Sequence, residues 1–148
     1  SFVPNMPDAQ ARLAEVEALI TPPKRIVVDL SEQMLTIYED NQPIHIFTVC
    51  TGRATAPTVP GRYEVLDKMP MAYASTWDLD MPWWVGIYWA GGSENGFHAL
   101  PLRHGGQQVL WGSSLGRPCS FGCIVLDTDD AITLYNWVEV GTVVFVNR

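Results

Sequence analysis

Between Arg25 and Thr48 the chain runs in short apolar bursts separated by polar turns. Arg25–Leu30 (RIVVDL), Met34–Tyr38 (MLTIY) and Ile44–Thr48 (IHIFT) are rich in β-branched residues, and Ser31-Glu32-Gln33 and Glu39-Asp40-Asn41-Gln42 divide them. Apolar runs this short, with regularly spaced turns, predict an antiparallel meander. Ala56–Gly61 is a breaker-rich loop, and Arg62–Asp67 predicts another strand. Met69–Pro101 mixes Trp, Gly and Pro, which predicts irregular strands and loops walling a groove.

Two segments carry helical spacing. In Asn5–Ile20, Leu13, Val16 and Ile20 recur at helical intervals until Thr21-Pro22-Pro23 stops the pattern. Near the end, Ala131, Leu134, Tyr135 and Val138 form an apolar face, with Asp127 or Thr128 as the cap and Gly141 as the stop. Asp129 and Asp130 suit the positive end of the helix dipole. Thr142–Val146 predicts a last strand. The expected class is mainly β, a sandwich or barrel with the C-terminal helix packed on the sheet, plus a short N-terminal helix. Residues 1–23 form the helical extension or linker, and residues 24–148 the main domain.

Composition narrows the partners. A chain of 148 residues with 47% hydrophobic and 17% charged residues suits one globular domain. A net charge of −7 and the lack of a basic stripe argue against nucleic acid. No apolar run approaches the ~20 residues of a membrane span. The opening Ser1-Phe2-Val3-Pro4-Asn5 has neither the basic start nor the apolar stretch of a leader peptide.

Three cysteines, Cys50, Cys119 and Cys123, allow at most one internal disulfide and leave one thiol over. Cys123 follows Gly122 in a polar, turn-prone segment and precedes the apolar Ile124-Val125-Leu126. A thiol at such a turn is open to attack chemistry, with neighbouring amides placed to hold an oxyanion. It needs a base to take its proton. His45 alternates with apolar neighbours in a strand, and His104 sits in a polar glycine-rich loop. His98 lies in Gly96-Phe97-His98-Ala99-Leu100-Pro101. Spacing alone ranks His98 only slightly above His104.

Residues 25–148 resemble the L,D-transpeptidase catalytic domain, the YkuD family. His98-Ala99 matches that family's histidine element, and Ser120-Phe121-Gly122-Cys123-Ile124-Val125 resembles its Ser-His-Gly-Cys-Ile-Arg element. Leu115-Gly116-Arg117-Pro118 is similar to its lead-in. Asp29–Gln33, Thr51-Gly52, Pro57–Gly61 and Met81-Pro82 are similar to further family elements in the same order. The resemblance implies Cys123 as nucleophile and His98 as base, with the Ala99 carbonyl orienting the imidazole. It implies that the amides of Gly122 and Cys123 hold the oxyanion. Cys123 would attack a peptidoglycan stem tetrapeptide after its third residue and release D-alanine, and an amine or water would resolve the thioester. Ser120, Phe121, Met81, Trp83, Trp84 and Val125 are the expected substrate contacts. No metal or organic cofactor is expected. A β-lactam of the carbapenem type is an expected covalent inhibitor. The expected location is extracytoplasmic, with any signal or anchor outside this chain.

The sequence departs from the family pattern at two places. Phe121 stands for the motif histidine, and Val125 for the arginine or asparagine two residues past the cysteine. They favour the alternative of a non-catalytic cell-wall-binding module on the same scaffold. The 25-position interval from His98 to Cys123 is also longer than in most relatives. The excess falls in Leu102–Ser114, read as a loop insertion that narrows or caps the site with Trp111 and the Trp83-Trp84 pair. Cys119 is read first as a buried small hydrophobe, with a disulfide to Cys50 or Cys123 and a role in metal binding as alternatives. Cys50 is read as structural. If His98 and Cys123 form an active pair, alkylation of Cys123 should persist below the ordinary thiol pKa of about 8.5.

Overall fold

The strands of the first half fall where the alternation places them. A computed structural model describes residues 21–148, so the helix expected over Asn5–Ile20 lies outside the described residues. Strands β1 (Arg25–Asp29), β2 (Met34–Glu39) and β3 (Gln42–Cys50) form the antiparallel meander. Ile26, Val28, Leu35 and Ile37 are fully buried, each on the inward side of its strand. Gln33 and Asn41 take positive φ (54° and 63°) at the two turns, a conformation that polar turn residues tolerate best.

After the breaker loop come β4 (Gly61–Glu64), β5 (Asp67–Ala74), β6 (Leu79–Ala90) and β7 (Ser93–Ala99). Met69–Pro101, expected as irregular strands and loops, is mostly strand. β5, β6 and β7 are long antiparallel partners, with a register shift between Gly86 and Tyr88 and Trp83 at positive φ, joined by turns at Trp77-Asp78 and Gly91-Gly92. The aromatic and methionine content hid the pattern, because this sheet faces a wide cavity and both faces carry apolar side chains. The expected strand over Arg62–Asp67 divides at Val65-Leu66 between β4 and β5.

Leu102–Ser114 holds a two-residue strand, β8 (Leu102–Arg103), paired to β6, and a short 3-10 turn at Gly112–Ser114. β9 (Ile124–Leu126), helix α1 (Thr128–Trp137) and β10 (Val143–Asn147) complete the order. The sheet runs β4-β10-β1-β2-β3-β9-β7-β6-β5 and curls into a half-barrel around α1. Its core joins Phe47, Val49, Phe97, Ile124 and Leu126 of the sheet to Ala131 and Leu134 of the helix. Asp129 and Asp130 occupy the first turn as expected, but Asp127 makes no side-chain cap. The helix ends with Val138 already extended. Gly141, at φ 94°, bends the chain afterwards, and its N–H donates to Val65 O at 2.8 Å.

Leu134 is 1% exposed at the centre of this packing. Leu134→Ala should cost about 2–5 kcal/mol of folding stability, read from urea unfolding at constant m-value. A loss below half a kilocalorie per mole would show that the helix contributes little to the core.

Candidate active site

The site starts from one parallel strand pair. β7 and β9 align Phe97, His98 and Ala99 with Ile124, Val125 and Leu126. Side chains alternate along a strand, so Cys123 and Val125 share the face of His98, while Phe97 and Ile124 point into the helix-side core. His98 and Cys123 thereby line one cavity of about 650 Å³.

His98 is 2% exposed. Its Nδ1 lies 2.6 Å from the carbonyl oxygen of Ala99. A carbonyl only accepts, so Nδ1 carries the proton and Nε2 keeps a free lone pair. Burial holds the imidazole down at about 4, against the partial support of the Ala99 carbonyl. Trp84 stacks on the ring at 6.1 Å, and its indole N–H is anchored to Asp67 Oδ1 at 3.0 Å.

Cys123 is the free cysteine, and its thiol donates to Asn95 Oδ1 at 3.6 Å. Burial pushes the thiol up to about 11; the Gly96 backbone opposes this, and the negative charge of Glu94 adds to it. Both members of the pair are therefore neutral at rest. Labelling of the resting thiol is therefore expected above the ordinary thiol range rather than below it.

The turn before Cys123 is held at many points. Ser120 Oγ donates to Cys123 O at 2.5 Å and accepts the Gly122 N–H at 3.2 Å. Thr58 Oγ1 donates to Gly122 O at 2.7 Å. Arg53 donates to Cys119 O at 2.6 Å and to Ser120 O at 3.2 Å. Gly122 sits at φ 131°, and a Cβ there would stand 2.8 Å from Asn95 Oδ1, so only glycine keeps the thiol's partner in place. The Gly122 amide expected to face an oxyanion is thus occupied internally by Ser120.

Cys119 is neither a simple buried hydrophobe nor a ligand. It forms a disulfide with Cys50, across 69 positions of chain. Val125 is corrected as well. It is fully buried with Cys50 and Leu100 beneath Trp111, Leu115 and Cys119, and is not among the residues lining this cavity. Trp83 is the third correction. At φ 57° it turns away from the cavity and packs edge-on against Tyr135 of α1, 5.1 Å between centroids. Ser120, Phe121, Met81 and Trp84 do line the cavity. His45 is exposed on β3, stacked on Phe47, and His104 pairs with Asp80 at 2.7 Å at the surface.

Phe121 is the hub of the cavity mouth. Trp77, at the β5–β6 turn, stacks on it at 4.7 Å and 3°. Trp111 meets it edge-on at 5.9 Å, and the Arg53 guanidinium lies 4.5 Å from the same ring. Trp111 thus lines the cavity beside Phe121. Met69, Met71 and Tyr73, alternate residues of β5, continue an apolar wall.

A family profile described as the L,D-transpeptidase catalytic domain, YkuD, matches residues 23–146. The chain belongs to the YkuD family. A putative L,D-transpeptidase YkuD of Bacillus licheniformis is 25% identical over 122 residues, which cover 82% of this chain and 64% of that protein. An L,D-transpeptidase structure from Mycobacterium smegmatis superposes with TM-score 0.72 at 22% identity, over 85% of this chain and 59% of that one. One from Mycobacterium tuberculosis gives 0.69 at 25% identity, over 86% and 58%. L,D-transpeptidase 3 from Mycobacterium tuberculosis, in complex with a faropenem-derived adduct, gives 0.68 at 24%, over 86% and 61%. The chain thus spans less than two thirds of these relatives' lengths.

Asn95, Glu94, Trp77, Thr58 and Arg53 were not legible as site residues. Period-two alternation back from His98 through Gly96 to Glu94 was the one available signal, and it was masked by the absence of an assigned strand.

Two predictions follow from this geometry. Iodoacetamide labelling of the resting protein should be slow at neutral pH. It should climb above the ordinary thiol value of about 8.5 toward about 11, because the thiol is held protonated; a plateau reached by pH 8 would contradict it. Reducing the Cys50–Cys119 bond should cost about 2–5 kcal/mol and lower the melting temperature. An unchanged melting temperature in dithiothreitol would show that the bond is not a stabilising tie.

Proposed function

We propose that this chain is a cysteine acyltransferase that cross-links peptidoglycan, an L,D-transpeptidase with Cys123 as nucleophile and His98 as general base. The observation that carries the reading is the shared cavity of His98 and Cys123, with the imidazole held by the Ala99 carbonyl. That hydrogen bond supports the tautomer a base requires, and a backbone carbonyl here takes the part of a triad carboxylate.

A neutral pair acts by proton transfer in step with attack. Cys123 Sγ bonds to the carbonyl carbon after the third residue of a stem tetrapeptide as its proton passes to His98 Nε2. Collapse breaks the peptide bond, and the imidazolium returns the proton to the departing D-alanine amine. An acceptor amine then displaces the thiolate from the thioester; water in its place gives L,D-carboxypeptidase activity. With the Gly122 N–H held by Ser120, the oxyanion falls to the Cys123 amide. Met81, Trp84, Ser120 and Phe121 contact the peptide along the cavity. No metal or cofactor takes part.

The disulfide supports a working place outside the cytoplasm, since such bonds persist in oxidising compartments. Among the described residues no helix is long and apolar enough to cross a membrane. The substrate places the activity in cell-wall assembly and the maintenance of cell shape.

Incubation with a carbapenem should add the mass of one opened β-lactam to the wild-type protein. Cys123→Ala should take none, and His98→Ala should acylate about 10²–10⁴-fold more slowly. An adduct on Cys123→Ala, or an unmodified wild-type protein, would remove Cys123 from its role.

A further inference from the structure

Glu94, Gly96 and His98 are alternate residues of β7 and share the face that carries Cys123. Gly86 of β6 lies opposite Gly96 on one side and Asp67 of β5 on the other. The Glu94 carboxyl folds over the bare backbone of Gly86. A Cβ there would collide with Glu94 Oε2 and stand 2.7 Å from Asp67 Oδ1. The two carboxyl groups are therefore neighbours, under a glycine that leaves them room.

Their partners are unequal. Asp67 Oδ1 accepts the Trp84 indole N–H. Glu94 is half-buried on the cavity wall; its Oε2 is turned inward and accepts from no donor. Of the described residues lining the cavity, Glu94 is the only acidic one, and no lysine or arginine stands among them. Lys68 points to the opposite face and donates to Tyr135 O and Val138 O. Arg53 lies outside, in a depression beyond Trp111. A negative group facing a cation-free cavity is a binding place for a cation brought by a ligand.

We infer that Glu94, backed by Asp67, receives the ammonium group of the acceptor and takes its proton before that amine attacks the Cys123 thioester. The inference rests on the transpeptidase reading above. Acceptor amines arrive protonated, and R–NH₃⁺ has no lone pair to attack with. One proton passes to the Glu94 carboxylate, leaving R–NH₂ and a carboxylic acid. The nitrogen lone pair forms the N–C bond, the C–S bond breaks, and the second proton travels through His98 to the thiolate. Glu94 then returns its proton to solvent. The net change is thioester plus ammonium to amide, thiol and one released proton.

The groups acting on Glu94 are the Asp67 carboxyl on β5 and the Trp84 indole on β6; Glu94 in turn acts on the Cys123 thiol, and His98 shares its strand face beyond Gly96. Burial and Asp67 raise Glu94 to about 7, where a carboxyl exchanges protons readily at neutral pH.

The experiment compares transfer from one tetrapeptide acyl-enzyme to a lysine side-chain amine, cationic at neutral pH, and to methoxyamine, which is neutral there. Glu94→Gln should lower the ratio of the two rates about tenfold. Formation of its acyl-enzyme checks that the variant is folded. Asp67→Asn removes a like charge, so the rise of cationic transfer with pH should move below about 7. Donors with lysine or acetyl-lysine as third residue separate the acceptor from a donor-borne ammonium. A Glu94→Gln ratio equal to wild type, an unmoved profile in Asp67→Asn, or a loss that follows the donor's amine would overturn the inference alone. A wild-type protein that never acylates would overturn the transpeptidase reading and this step together.

Discussion

The parallel pairing of β7 with β9 is the constraint on which the rest of the molecule depends. Two segments 25 positions apart are set side by side by a three-residue ladder, and the ladder's register decides which side chains meet. A shift by one residue would send His98 and Cys123 to opposite faces, since the side-chain period is two. The surrounding structure defends that register. Ile124 and Leu126 are buried against the helix on one side, and Val125 is sealed under the disulfide-tied loop on the other. The three corrected residues fit this picture. Cys119, Val125 and Trp83 hold the frame in which the cavity is set.

A half-buried thiol and a buried imidazole, both neutral, form a site of little reactivity at rest. The same enclosure strengthens each interaction made with a bound carbonyl. The Gly122 peptide illustrates how tightly the turn is set, since its N–H and C=O are both engaged within the protein. Rigid support of this kind keeps reacting atoms in place, where displacement by an ångström is costly.

Much of the fold was legible from local pattern. β1 to β3, the closing helix and the last strand follow directly from alternation, turn residues and helical spacing. The β5–β7 region was not legible as long paired strands. A sheet with apolar groups on both faces does not alternate. Cys123 and His98 could be singled out because motif order adds to chemistry. Glu94 and Asp67 could not, since their relation exists only across Gly86, between three strands. The disulfide was one of several open pairings for the same reason: cysteine count does not give connectivity.

The stack of Trp77 on Phe121 spans the cavity mouth from the β5–β6 turn to the turn before Cys123. An aromatic contact of this type is worth about 0.5–1.5 kcal/mol beyond its buried area. If a peptide has to part the two rings to enter, this term alone favours the closed form about two- to thirteenfold, and the apolar area the rings bury adds to it. Such a doorway lowers apparent affinity by the closed fraction. Phe121 and Trp77 thus make a doorstop that a guest displaces at the expense of part of its binding energy.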